Sequence, residues 1–111
     1  MILDLTPSNR AVYEGCEVVR VSQDRYNLVT PIRIAVAVIA RNILEIVSQM
    51  PADDRQELVL TGAAKQDIYL TAQSVAGPFF KKVIRLNGIT GERVEIPQSQ
   101  PPLDFQNESE D

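Results

Sequence analysis

The side chains best suited to acid–base and nucleophilic chemistry are almost absent from this sequence. It contains no His and only one Cys, Cys16. Ser–His and Cys–His nucleophile pairs are therefore impossible within the chain, because both use an imidazole as the base. A structural zinc site is excluded for a related reason, since its ligands are Cys and His. We expect no catalytic residue, no cofactor, no metal and a non-enzymatic function, with Cys16 as a buried thiol among apolar neighbours.

Two further patterns resemble ligand-binding motifs but fit ordinary structure better. Asp53, Asp54 and Glu57 could offer carboxylates to a divalent metal ion, but neighbouring carboxylates on a helix point in different directions. We interpret them as acidic residues in the first turn of a helix, where they favour the positive end of the helix dipole. Gly88-x-x-Gly91 could cradle a phosphate, but such a loop leads into a helix and not into a strand. We interpret it as a hairpin turn.

One basic cluster could contact a phosphate group. It consists of Lys81, Lys82 and Arg85, next to Phe79 and Phe80. Basic side chains interleaved with aromatic ones can bind a nucleic-acid backbone and stack on its bases. A Phe pair after Gly-Pro is more often part of a core, and three cations commonly form a solvated face. We keep phosphate or DNA contact at this cluster as an alternative and do not expect nucleic acid as the main partner.

The other candidate binding residues follow the last predicted strand. Gln100, Leu103 and Phe105 stand in the pattern Gln, two variable residues, Leu, one variable residue, Phe. This segment resembles the peptide by which many bacterial DNA-replication and repair proteins bind the sliding clamp. The resemblance implies that Leu103 and Phe105 enter an apolar pocket of the clamp while the Gln100 amide forms hydrogen bonds. Docking of Leu103 and Phe105 onto the chain's own domain is the competing interpretation.

The charge of the sequence divides at Pro97. Residues 1–96 contain all 11 basic residues and 11 of the 15 acidic residues, so that part is neutral. Residues 97–111 contain the other four acidic residues, which account for the net charge of −4. They also carry too few large apolar side chains to offset the entropy lost on ordering. We therefore predict a globular domain over residues 1–96 and a disordered acidic tail over residues 97–111.

A long apolar helix dominates the predicted domain. After Thr30-Pro31, apolar residues recur at three- and four-residue steps as far as Met50. A narrow stripe of mostly polar residues runs along one edge of this helix, formed by Arg33, Ala37, Arg41 and Glu45. Most of the surface of such an apolar helix must be buried against other parts of the protein. In a chain this short it must be the central core helix, a homodimer interface, or both.

The remaining segments complete a small α+β domain with one or two further helices and one or two β-hairpins. For the first half, the patterns predict a short helix over residues 7–13 and a hairpin of strands at 17–21 and 26–29, with one helix over 7–21 as the alternative. For the second half, they predict a helix from Pro51 that uses Leu58 to Leu60 as apolar contacts, a helix over 63–76, and strands at 83–86 and 93–96. The turn between these strands is either Asn87-Gly88 alone or a wider loop up to Gly91.

These patterns together favour a small cytoplasmic interaction or adaptor protein. We expect it to form homodimers and to bind a partner protein through its acidic tail, with Gln100, Leu103 and Phe105 as the contact residues. The N-terminus lacks the basic region of a signal peptide, and the longest apolar run, residues 34–40, is too short to span a bilayer. The alternative is a DNA-replication, repair or transcription accessory factor that binds the sliding clamp through the tail or DNA through the basic cluster.

Overall fold

The fold consists of a four-stranded mixed sheet with two helices on one face and a separate β-hairpin, which confirms the predicted α+β class. The computed structural model describes residues 1–87 and 89–97. In chain order the elements are β1 (Ile2–Asp4), α1 (Arg10–Tyr13), β2 (Val18–Ser22), β3 (Arg25–Leu28), α2 (Ile32–Ser48), β4 (Glu57–Thr61), α3 (Gln66–Ala76), β5 (Lys82–Leu86) and β6 (Arg93–Ile96), with short 3₁₀ helices at Ala52–Asp54 and Gly77–Phe79.

The sheet has the strand order β1-β4-β5-β6. β1, β4 and β5 are parallel, and β6 pairs antiparallel with β5. The two parallel connections cross over through helices, with α2 between β1 and β4 and α3 between β4 and β5. Because parallel strands run the same way, the carboxyl ends of β1, β4 and β5 meet at one edge of the sheet, which we call the carboxyl edge.

α2 is the central core helix, as its apolar pattern predicted. Its inner positions Ala35, Ile39, Ile43 and Val47 are buried inside the chain itself and belong to one core that also includes β4 and α3. The predicted stripe at residues 33, 37, 41 and 45 is exposed. One chain therefore covers the apolar face of α2, so burial of this helix gives no argument for a second copy.

The segment after Pro51 corrects the sequence prediction. We predicted a helix with Leu58 to Leu60 as apolar contacts, but this segment is the strand β4. Leu58 and Leu60 pack into the core under the helices, and Val59 is 4% exposed on the opposite face of the sheet. A strand buried on both faces has a continuous apolar run instead of an alternating one, and in a short segment such a run cannot be told from a helix by periodicity.

The N-terminal strand β1 was not predicted. Only three residues long, it lies parallel to β4, with Leu3 opposite Leu60. Leu3 and Leu5 are buried, while Ile2 is 71% exposed. The Met1 ammonium group donates a hydrogen bond to the Glu57 carbonyl oxygen over 2.8 Å, which fixes the register at the start of the pair.

The two predicted hairpins are confirmed. β2 and β3 pair antiparallel, with an irregularity between Arg20 and Ser22. β5 and β6 pair as far as Leu86 opposite Arg93. Beyond that pair, the Asn87 amide donates to the Glu92 carbonyl oxygen and the Gly91 amide donates to the Asn87 carbonyl oxygen. The connection is therefore the wider of the two predicted loops.

Candidate functional site at the carboxyl edge

A cleft of about 650 Å³ lies at the carboxyl ends of β4 and β5. Ligands of open sheets with parallel strands commonly bind outside the carboxyl ends of those strands, so this cleft is a candidate binding site. We call it the carboxyl-edge cleft. Its lining residues come from β4 and the loop that follows it, from α3, and from the β5–β6 hairpin: Thr61, Gly62, Ala63, Tyr69, Arg85, Leu86, Asn87, Ile89, Glu92 and Val94.

Gly62 brings the loop after β4 tightly against the end of β1. Its φ of +107° is a backbone conformation that residues with a side chain rarely adopt, and a Cβ atom there would lie 2.4 Å from Asp4 Oδ1 and 2.6 Å from Thr6 Oγ1. The Thr6 amide donates to Asp4 Oδ1, and Thr6 Oγ1 accepts from the Ala63 amide over 3.2 Å. Only glycine fits at this crossing of two loops.

Two tyrosines hold the loops of the carboxyl edge from below. The Tyr69 hydroxyl donates to the Gly62 carbonyl oxygen over 2.6 Å, and the Tyr13 hydroxyl donates to the Leu5 carbonyl oxygen. Burial raises the pKa of Tyr13 well above its ordinary value. Burial also raises the pKa of Tyr69, although the nearby Arg85 charge acts in the opposite direction. Both phenols therefore stay neutral and act as structural hydrogen-bond donors instead of catalytic bases.

Arg85 is the cationic group of the cleft, and its position is fixed on two sides. Its guanidinium carbon lies 4.2 Å from the centre of the Tyr69 ring, which is cation–π geometry. Its Nη2 donates to Gln66 Oε1 over 3.0 Å. A guanidinium has five N–H donors, and among the described residues this is the hydrogen bond that Arg85 makes. The Arg85 guanidinium is therefore fixed in position and has N–H donors available for a ligand.

The wall opposite α3 is apolar and open to solvent. Ile89 is 96% exposed and Val94 is 51% exposed. Asn87 shapes this wall, because its Oδ1 accepts from the backbone amides of Ile89 and Thr90 over 2.9 and 3.1 Å. Val94 lies directly opposite Arg85 across the β5–β6 pair. The cleft thus places exposed aliphatic side chains beside a fixed cation, an arrangement suited to binding a group that is apolar and carries a negative charge.

The structure separates the three cations of the predicted basic cluster. Lys82 begins β5 and Arg85 lies three residues further along it, so their side chains point to opposite faces of the sheet about 10 Å apart. Lys81 and Lys82 are exposed and donate their backbone amides to the Gln56 carbonyl oxygen. Lys81 and Lys82 lie at the other end of β5 from the carboxyl-edge cleft, and Arg85 lies in it.

The two neighbouring Phe residues have different surroundings. Phe80 is buried in the core, as predicted for the Phe pair. Phe79 is 44% exposed and lies under the Arg55 guanidinium at 5.6 Å. The cation over the Phe79 ring is Arg55, which is not part of the predicted basic cluster. The aromatic and basic side chains of that cluster therefore do not stack on one another.

The carboxylates of the predicted acidic set are also divided. Asp53 and Asp54 lie in a 3₁₀ helix, whereas Glu57 begins β4 and forms an ion pair with Arg93 at 3.5 Å. Within residues 1–87 and 89–97, no group of three Asp, Glu, Cys or His side chains is arranged to hold a metal ion. The same residues include no helix long and apolar enough to cross a membrane.

Cys16 is half-buried, and burial raises the pKa of its thiol. A raised pKa lowers the fraction of reactive thiolate. This thiol therefore behaves as a small apolar group more than as a nucleophile. Gln100, Leu103 and Phe105 lie outside the described residues.

The sequence interpretation missed the carboxyl-edge cleft. The predicted helix from Pro51 and the predicted helix over 63–76 leave Thr61-Gly62 between two helical segments, whereas β4, Gly62 and α3 form a strand–loop–helix unit. The available signal was a glycine after an apolar run and before a helical segment. No comparable local signal pairs Tyr69 with Arg85, because they are adjacent only through the packing of α3 against the sheet. Comparison with protein-family models, curated proteins and solved structures found no match.

Proposed function

We propose that this chain is a cytoplasmic, non-enzymatic interaction protein, and that residues 97–111 contain the peptide that binds a partner protein. The observation that carries the proposal is the division of charge and apolar residues at Pro97. The domain is neutral, whereas the segment after it holds the entire net charge of −4. Leu103 and Phe105 are its large apolar residues, and they flank Asp104. Short peptides that combine such side chains commonly bind by inserting them into an apolar pocket of a partner.

The chemistry of the folded part supports binding over catalysis. Among the described residues, the ionisable groups with shifted pKa values are Tyr13, Cys16 and Tyr69, and all three shifts favour the neutral, less reactive form. Apart from these two tyrosines, none of the polar or charged residues that the structure describes is buried. Enzymes typically place such groups in clefts, where burial and neighbouring charges tune their pKa values for catalysis.

The test is quantitative affinity purification from the native host. The bait is the full chain, compared with a Leu103→Ala/Phe105→Ala variant and a matched control, Ser109→Ala/Asn107→Ala, in the same segment. We expect the first variant to lose specific partners that the wild type and the control both retain. Equal recovery of every partner by all three baits would rule out the proposed role of Leu103 and Phe105.

The sliding clamp is the more specific candidate partner, because Gln100, Leu103 and Phe105 match its peptide pattern. Its test is direct titration of a purified bacterial clamp with the full chain and with Gln100→Ala. Saturable binding that weakens in the variant supports this candidate, and absence of binding removes it. The proposed DNA contact has less support, because Lys82 and Arg85 point to opposite faces of the sheet.

Homodimer formation is part of the proposal and rests on a different surface from the one first considered. The apolar face of α2 is covered within the chain, but Ile34 and Leu44 on its outer side are 57% and 44% exposed. Ala37 lies between them on the same exposed side and leaves room for close approach of a second helix. We propose this outer side of α2 as the self-association surface.

A further inference from the structure

The carboxyl-edge cleft and the segment after β6 have complementary chemistry. The cleft offers the Arg85 guanidinium beside the exposed Ile89 and Val94 side chains. The segment contains Leu103-Asp104-Phe105, a carboxylate between two large apolar side chains. We propose that this segment docks into the carboxyl-edge cleft of its own chain. The Asp104 carboxylate accepts hydrogen bonds from Arg85, and Leu103 and Phe105 cover Ile89 and Val94.

The length of chain between β6 and Leu103 permits this contact. β6 runs away from the cleft, so Pro97 lies three residues beyond Val94, or about 10 Å. The six residues from Pro97 to Leu103 span up to about 20 Å when extended. β6 ends the strand order, and no strand among the described residues pairs with its outer edge. The chain can therefore return along β6 without crossing a packed element.

The positive charge that favours an acidic occupant of the cleft comes from Arg85. The hydrogen-bond partner of Arg85, Gln66, is neutral, so the guanidinium keeps its full charge. Charge-assisted hydrogen bonds from a guanidinium to a carboxylate are among the stronger ones in proteins, and they can be bidentate. Glu92 also lines the cleft and opposes an incoming carboxylate. Removal of the Glu92 charge should therefore strengthen docking.

A second groove on the molecule fits the same segment less well. It lies between the end of α2 and Phe79 and is also lined by Arg55 and Glu45. The Arg55 guanidinium donates to the carbonyl oxygens of Met50 and Val47 over 2.8 to 3.2 Å. Three of its five N–H donors are thus engaged, and Glu45 adds a repelling charge, so this groove serves as the comparison site in the test.

If the proposed function holds, this contact hides the partner-binding residues. Leu103 and Phe105 cannot occupy the cleft and a partner's pocket at the same time. A partner then binds only molecules whose segment is released, and its apparent affinity equals the intrinsic affinity multiplied by the fraction released. The docking itself needs no partner, so it can be tested and can fail separately from the proposed function.

The test uses the full chain with methyl-labelled Ile, Leu and Val, observed by NMR without any partner. A nitroxide is attached to Gln106→Cys in a Cys16→Ser background. We expect the methyl signals of Ile89 and Val94 to lose most of their intensity, while those of Leu44, in the comparison groove, keep theirs. Glu92→Gln should deepen the loss at Val94, and Asp104→Asn should reduce it. Glu108→Gln, which removes the same charge further along, serves as the control.

Three results would overturn the proposal. The first is unchanged intensity at Ile89 and Val94, and the second is broadening centred on Leu44. The third result concerns a mixture in which one chain carries the methyl labels and another carries the nitroxide. If the methyl signals broaden only in this mixture, the occupant of the cleft is a second copy of the chain. A measurement that leaves Cys16 intact guards against effects of that substitution. In the otherwise native chain, Leu103→Ala/Phe105→Ala should shift the Ile89 and Val94 methyl signals and leave Leu44 unchanged.

Discussion

Substitution of Gly62 by Ala tests the packing that forms the carboxyl edge. The added Cβ would lie 2.4 Å from Asp4 Oδ1 and 2.8 Å from the Thr6 backbone nitrogen. The backbone nitrogen cannot turn away as a flexible side chain can, so the end of β1 must move. A positive φ costs a residue with a side chain about 1–2 kcal/mol, and forcing an extra carbon into a packed site costs about 1–3 kcal/mol more. We expect Gly62→Ala to lower the free energy of unfolding by about 2–5 kcal/mol.

Gly91 provides the matched control. It also has a positive φ, +76°, but a Cβ there would meet no atom within 4 Å. Gly91→Ala therefore retains the backbone strain, about 1–2 kcal/mol, without the steric overlap. Both variants and the wild type are compared by urea unfolding, followed by circular dichroism. Equal losses in the two variants would show that Gly62 does not hold the β4–α3 loop against β1, and would remove the structural basis of the cleft.

Three further predictions concern the tyrosines and the outer side of α2. Tyr69→Phe should cost about 1–2 kcal/mol in urea unfolding, because it leaves the Gly62 carbonyl oxygen without its donor. Burial raises the folded-state pKa values of Tyr13 and Tyr69. Their contribution to stability is therefore intact below the unfolded tyrosine pKa of about 10 and is lost as the pH rises above it. Urea unfolding between neutral and strongly alkaline pH should show this fall, and a flat profile would contradict it. If α2 forms a homodimer interface, Ile34→Ser/Leu44→Ser should halve the mass measured by light scattering, whereas an unchanged mass would place any interface elsewhere.

The long helix and the two hairpins were predictable because their signals are local. α2 repeats the same apolar spacing over 17 residues, so no single ambiguous residue can change the assignment. The β5–β6 hairpin is indicated by two apolar segments, 83–86 and 93–96, separated by turn-forming residues that include Gly91. In both cases the information needed lies within the segment itself.

β4 shows where local information ends. Leu58, Val59 and Leu60 are buried because a strand lies on each side and the two faces of the sheet are both covered at this point. β1, which forms one of those neighbours, comes from the other end of the domain and is itself too short to predict. The strand assignment of residues 57–61 therefore depends on a long-range pairing that no periodicity within the segment encodes.

The candidate site also depends on long-range packing, which explains why sequence proximity grouped Arg85 with Lys81 and Lys82 and did not place it in the cleft. Arg85 is close to Lys82 along the chain, yet the alternation of the strand turns it toward the helices. There it meets Tyr69, whose own hydroxyl fixes Gly62 at the end of β4. Gly62, Tyr69 and Arg85 are thus connected by direct contacts. Among the described residues, Arg85 is the only cationic side chain that lines the carboxyl-edge cleft. A change at Gly62 should consequently alter binding at Arg85 as well as stability, and this coupling distinguishes a constructed site from a chance depression in the surface.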